Sequence, residues 1–504
     1  MKRTKRKTFS AHGILRFCNL GVASLLVWDL VTADLSAHPY INRLTLVLGL
    51  ALCLQTYIVL RLQQRHPDPF VLVMTYLLTF FYSLRLFTLV HYPFSDVFPR
   101  IVYLPQDSNF ALFFMLVANG CMYAGFHFVK LDPQIEPTSP PERSKLRFMM
   151  ALFVLSVLFG PFIRMELPTA IAGPLTFLFN SFLMPNLILL VMAAYVVVHR
   201  KQLPKSYAGA VVAGAVYLCV LQTLGFSRSG LLTILDNSII LFVALVPMIR
   251  IQRKLVYFGF ALLPVALMLA FTLYTISTTS RLMKGFSGTT LSEQIELIQT
   301  SQRAVNDEGL VDQNAARALA RAGYFDYSAE LIANQERYSE FITLGNYARS
   351  VVDSVFTPGF DVFDQPRVSN LLKYAGTSVN QFSRKQEAAG YHSDALGLYG
   401  EVYNLFGFLG SLPVLFCIAY VLKRVYRGSG RALTVAEGCK RVFIVAIFFR
   451  MFNSFGFDWV LMDAVTLGAV MAVGAGILSP RARRFGRRRP SLVVENSQLA
   501  PTAR

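Results

Sequence analysis

Six side chains, drawn from the polar stretches of an otherwise apolar chain, are of the types that carry group-transfer chemistry. Asp326, Glu401 and His392 are the acids and the imidazole placed to take a proton from a hydroxyl. A general base must sit within hydrogen-bond reach of that proton, which a carboxylate or a neutral imidazole can do. Arg228, Arg281 and Arg321 are guanidinium groups, which bind phosphate through two parallel hydrogen bonds. Arg228 lies in Ser227-Arg228-Ser229-Gly230, a tight turn before an apolar run, where free helix N–H groups would face the same anion. Each residue also has a plainer reading. A lone carboxylate is more often structural than catalytic, and Arg321 could simply pair with Asp326 or Glu330. His38, His91 and His392, the histidines assigned below to outer loops, are scattered over three loops without metal-ligand spacing. No metal site and no cofactor are therefore expected.

These residues need elements to hold them, and composition says what those elements are. With 54% hydrophobic and 15% charged residues over 504 positions, the chain is too apolar for a soluble globular protein. The apolar runs have the length of helical membrane spans, about 20 residues, and not the alternation of β-barrel strands of about 10. An all-α polytopic integral membrane protein is expected. Cys18, Cys53, Cys121, Cys219, Cys417 and Cys439 all fall in or beside the apolar runs, which leaves no disulfide framework and no zinc set. The basic residues Lys2 to Lys7 precede a long apolar run followed by further spans, so an uncleaved anchor fits better than a cleaved signal.

Twelve transmembrane helices are expected, at 14–33, 44–62, 70–90, 110–129, 148–163, 178–198, 206–225, 231–249, 255–276, 400–422, 442–455 and 459–479. With both termini inside, the tails and inner loops carry 29 Lys and Arg, against four in the short outer loops. That bias fixes the orientation and places one large extracytoplasmic helical loop, 277–397, between spans 9 and 10. The chain then divides into a basic cytoplasmic tail (1–13), a nine-span bundle (14–276), the loop (277–397), three C-terminal spans (398–480) and a second basic tail (481–504). The formal charge of +19 lies in tails and short connections, while the loop holds eleven Lys/Arg and fourteen Asp/Glu and is net negative. Such a distribution reflects membrane topology and excludes nucleic acid as the partner.

Within the loop, 291–305 and 324–355 have helix-like apolar spacing, and Pro358, Gly359, Pro366 and Gly376 then mark turns. A small helical cap over the mouth of the bundle is expected. Asp29, Arg85, Asp236, Arg450 and Asp463 all map to the outer halves of their spans, and Arg164, Arg228, Arg281, Glu401 and Asp458 to the outer rim. Only Arg16, near an inner end, falls in the inner half. Charges within a bilayer are costly, so this largely one-sided set implies a polar cavity open to the outside, with no path across the membrane.

Gly225-Phe226-Ser227-Arg228-Ser229-Gly230 before a span, Arg321-Ala322-Gly323-Tyr324-Phe325-Asp326 in the large loop, and Gly400-Glu401-Val402-Tyr403-Asn404-Leu405-Phe406-Gly407-Phe408-Leu409-Gly410 after it together resemble the Wzy-type oligosaccharide repeat-unit polymerases, or O-antigen polymerases. The last stretch is similar to that family's Gly-Glu-x-Tyr-x-x-Phe-Gly-x-x-Gly, the most specific of the three. The resemblance implies a lipid-linked glycosyltransferase in the bacterial inner membrane. It would move a growing glycan from undecaprenyl diphosphate onto an incoming lipid-linked repeat unit at the periplasmic face. It also implies Tyr324 and Tyr403 as substrate contacts beside the arginines, and a chain-length regulator and a flippase as pathway partners. A ligase that transfers finished O-antigen to lipid A core shares the architecture, and differs in that its loss leaves long chains on the carrier. A transporter or flippase would show polar residues in both halves of the membrane and internal repeats, neither of which is present. A transferase using polyprenyl phosphate sugars would show an acidic first outer loop, where this chain has only Asp34.

Overall fold

The computed structural model describes residues 8–9, 11–63, 68–92, 103–131, 142–163, 184–199, 202–224, 236–241, 243–244, 251–252, 324–356, 362–363, 368, 397–427, 434–453 and 456–479. The described chain is α-helical apart from one antiparallel pair of two-residue strands, β1 (Thr8–Phe9) against β2 (Ile251–Gln252). Six of its helices are long and apolar enough to cross a membrane. Their outward faces behave accordingly. Phe17, Val31, Leu62 and Leu409 are 66%, 77%, 78% and 79% exposed, and apolar surface on that scale requires lipid around it. The protein is thus a multi-pass, all-α membrane protein.

The first half comprises α1 (Ala11–Thr32), α2 (Arg43–Leu62), α3 (Pro69–Leu77), a π-helical turn (Leu78–Ser83), α4 (Leu84–His91), α5 (Pro105–His127), α6 (Arg143–Ile163), α7 (Pro185–Val198) and α8 (Lys205–Leu224). Their starts are written locally. Asn42 and Thr45 exchange side-chain to backbone hydrogen bonds at the head of α2, each 3.0 Å. Asp68 caps α3, accepting from the Phe70 amide at 2.9 Å with Pro69 in the first turn. The π turn interrupts the run Pro69–His91 and resets its register. Nearly all of α3 is buried before it, whereas in α4 only Arg85, Leu86 and Leu89 are buried.

The second half comprises α9 (Tyr324–Ala333), α10 (Gln335–Ser339), α11 (Leu344–Val351), α12 (Leu398–Arg427), α13 (Val435–Asn453) and α14 (Phe457–Leu478). α12 packs on α5, α9 and α13, and α7 packs on α6, α8, α13 and α14. Phe70, Phe126 and Phe448 meet at centroid distances of 5.3 to 5.5 Å, joining α3, α5 and α13, and Tyr426 of α12 stands edge-on to Phe70 at 5.3 Å. Beside this aromatic knot, buried Lys423 pairs with Asp68 and donates to the Phe126 carbonyl at 2.6 Å. A buried cation with two partners avoids the cost of an unpaired charge.

α9 does not lie above the bundle. Its Phe325, Ala329 and Ile332 belong to the same hydrophobic core as the spans, and it contacts α4, α5, the π turn and α12. The apolar residues that predict a cap helix thus insert it among the membrane helices. Phe341, Ile342 and Tyr347 form a smaller core with Leu331 and Val368, against which Leu405 and Phe457 pack.

Candidate functional site

Asp326 sits in the first turn of α9, where free backbone N–H groups favour a negative charge, and its side chain is fully buried. Arg85 Nε donates to its Oδ2 at 2.6 Å, and the Tyr103 hydroxyl donates to its Oδ1 at 2.8 Å. Arg85 is itself braced by Nη1 to Thr88 Oγ1 at 3.2 Å. Burial pushes the Asp326 carboxyl upward, and the Arg85 charge and the two donors oppose it. Both oxygens accept, which is the pattern of the carboxylate form. Arg85, expected among the intramembrane charges, is therefore the partner that pins the loop segment to the bundle.

Glu401 occupies the first turn of α12 and is 2% exposed. Its Oε1 accepts from the Tyr347 hydroxyl and from the Phe457 amide, the latter at 2.7 Å. Asp458, one residue into α14, accepts from Ser350 Oγ at 2.8 Å and from the Val368 amide at 3.1 Å. Two buried carboxylates thus fasten α11 and residue 368 to the heads of α12 and α14. Burial, with the Glu401 charge next, holds the Tyr347 hydroxyl well above the usual phenol range, so it stays a donor.

The glycines of the 400–410 stretch have separate physical reasons. A Cβ on Gly400 would stand 2.7 Å from Leu331 Cδ1 and 3.3 Å from the Ser328 backbone, so α9 and α12 approach this closely only with glycine there. Gly407 has φ 66° and ψ −174°, a backbone region essentially reserved for glycine, although a Cβ there would meet no atom within 4 Å. It breaks α12 into 398–406 and 408–427. The second piece is about 30 Å long at 1.5 Å per residue, enough to cross the hydrocarbon core alone. The expected span 400–422 falls within the apolar helix Leu398–Arg427, and its turns before the break, Gly400 to Phe406, form part of the platform that receives α9. Ser411 Oγ bridges the break, donating to the Val402 carbonyl at 3.0 Å and to the Gly407 carbonyl at 2.5 Å.

Tyr403 is two residues from Glu401 and faces the other way, edge-on to Phe114 at 5.2 Å and Phe110 at 6.0 Å on α5. Tyr324 instead lies over Phe81 at 5.2 Å and within electrostatic reach of Asp236, Tyr82, Tyr327 and Tyr76. Asp236 in turn feels Arg450, whose Nη1 meets Asp463 Oδ2 at 2.7 Å. This pair is unlike the buried ones: Arg450 and Asp463 side chains are 17% and 33% exposed. A guanidinium held by a carboxylate that is itself a third exposed can exchange that partner for an anionic ligand. The sequence placed Arg450, Asp236 and Asp463 at one depth, but held no sign that Arg450 and Asp463 pair.

The structure therefore brings Asp326 and Tyr324 to one short helix, sets Glu401 at its neighbour, and points Tyr403 elsewhere. Arg228, Arg281, Arg321 and His392 lie outside the described residues. Among the described residues no three His, Cys, Asp or Glu side chains converge as a metal set. No protein-family model, no curated protein and no solved structure matches this chain.

Proposed function

We propose that the protein is an oligosaccharide repeat-unit polymerase of the Wzy type, acting at the outer face of the bacterial inner membrane with both termini in the cytoplasm. The observation that carries this reading is the stretch from Gly400 to Gly410. Its motif residues have distinct jobs: Gly400 admits α9, Glu401 anchors α11 and α14, and Gly407 ends the platform. The positive-inside bias supports the orientation.

In the reaction the bond between the anomeric carbon and the carrier's diphosphate oxygen breaks, and a new bond forms from that carbon to an acceptor hydroxyl oxygen. The hydroxyl proton passes to a base, and undecaprenyl diphosphate departs with the bonding electrons. Guanidinium groups lower the barrier by meeting charge as it develops on the leaving diphosphate. Arg228, Arg281 and Arg321 take this role, joined by Arg450, whose partner Asp463 is a third exposed. Asp326 and Glu401 are enclosed by their own donors and act as positioning groups, so the base among the three candidates is His392. Arg228→Ala, Arg281→Ala and Arg321→Ala each abolish chain elongation while the protein level holds. Full-length glycan from all three variants would end the proposal.

A further inference from the structure

α7, α8 and helical residues 236–241 enclose a groove of about 290 Å³. Leu189, Leu190, Ala193, Val197, Val211 and Leu241 line most of it. Its polar lining is Asn186, at the end where α7 starts, with Asn237 and Ser238. Asn186 and Asn237 are 8% and 7% exposed, and Asn237 Nδ2 is buried with no hydrogen-bond acceptor among the described residues. An amide donor left unsatisfied in an apolar surround is costly, so it is a strong sign of a partner. At the start of α7, Met184 offers no side-chain cap and Pro185 occupies the first turn. Pro185 has no N–H and the Leu187 and Ile188 amides donate to the Met184 carbonyl, so in this first turn the Asn186 amide and the positive end of the helix dipole reinforce Asn237 in calling for an acceptor oxygen.

From Asn186 to Val197 the groove follows α7 for about 16 Å at 1.5 Å per residue. That is roughly half of the ~30 Å hydrocarbon core, the depth of one leaflet. A site with acceptor-seeking donors and an apolar trough one leaflet long suits a lipid chain with an oxygen at its head. Charge selects which lipid. No Arg or Lys lines the groove among the described residues, whereas a diphosphate calls for guanidinium or ammonium groups. We infer that the groove between α7, α8 and residues 236–241 binds one acyl chain of a bilayer glycerophospholipid, whose ester carbonyl accepts from Asn237 Nδ2. The site is independent of the polymerase reading and distinct from any place for the carrier.

Native mass spectrometry of the full chain, released from micelles after incubation with phosphatidylethanolamine, tests this. The wild type retains one glycerophospholipid per chain. Asn237→Leu keeps the volume, loses the amide, and lowers retention about five-fold; Ala215→Phe fills the trough and removes retention. Size-exclusion profiles show whether each variant is folded, and if Ala215→Phe is not, the Asn237→Leu comparison decides alone. Equal retention in wild type and Asn237→Leu overturns the inference, as does no retention by the wild type. Displacement of the phospholipid by an equimolar polyprenyl diphosphate also overturns it, because the groove would then belong to the carrier.

Discussion

Replacing Arg85 or Asp326 singly removes one half of an ion pair whose side chains are 2% and 0% exposed. Neither partner can turn to solvent, so screening by water does not soften the loss as it does at a surface. Breaking a buried pair typically costs about 3–5 kcal/mol because the survivor is left charged and dry. The two variants are not equivalent, however. In Arg85→Met the orphaned Asp326 escapes by taking up a proton, still held by Tyr103, and the loss sits near ~3 kcal/mol. In Asp326→Leu the orphan is a guanidinium, which cannot discard its charge, and the loss approaches ~5 kcal/mol. The double variant Arg85→Met/Asp326→Leu has no orphan, so its loss falls short of the sum of the singles by about 3 kcal/mol. The assay is denaturant unfolding of the four proteins in one detergent, followed by far-UV circular dichroism. Additivity to within about 0.5 kcal/mol would mean that the two side chains do not act on each other, and would refute the account of how α9 is held.

Two further outcomes are expected. Gly407→Ala meets no atom but must adopt φ near 66°, so it destabilises by about 1–3 kcal/mol in the same assay without changing the core, and no loss would show that the break is not a glycine conformation. His38 lies between α1 and α2, and its Nδ1 accepts from the amides of Tyr40 and Ile41 at 3.3 and 3.2 Å while Nε2 faces the Leu89 carbonyl at 3.2 Å. Burial lowers its pKa, so the neutral ring's contribution is complete above the unfolded value near 6.5 and is lost as pH falls through the lower folded value. The melting temperature of the wild type therefore drops on acidification below about pH 6.5 more steeply than that of His38→Asn, and parallel curves would remove the histidine from the explanation.

Among the described residues, apolar run length located several of the six helices long and apolar enough to cross a membrane to within a few residues: the expected 14–33 and 44–62 correspond to Ala11–Thr32 and Arg43–Leu62, and 459–479 to Phe457–Leu478, while 255–276 lies outside the described residues. The helical spacing of 324–355 was legible for the same reason, since it depends on neighbours in sequence, and 291–305 lies outside the described residues. What escaped depends on distant partners or on backbone alone. Arg85 and Asp326 are 241 residues apart, and nothing in either segment names the other. Gly407 lies in an apolar run that reads as continuous helix, and the π turn at Leu78–Ser83 contains ordinary helix-compatible residues. Glu401 and Asp326 were legible as unusual acids, but their donors, Tyr347, Tyr103 and the Phe457 amide, come from three other segments. The Arg450–Asp463 pair was half visible, as charges at a common depth.

The most direct measurement of the central claim is the size distribution of carrier-linked and surface glycan after deletion of the gene, read on a gel with complementation by the intact chain. Loss of a polymerase leaves single repeat units and restores the ladder on complementation. Long chains accumulating on the carrier, or an unchanged ladder, would contradict it.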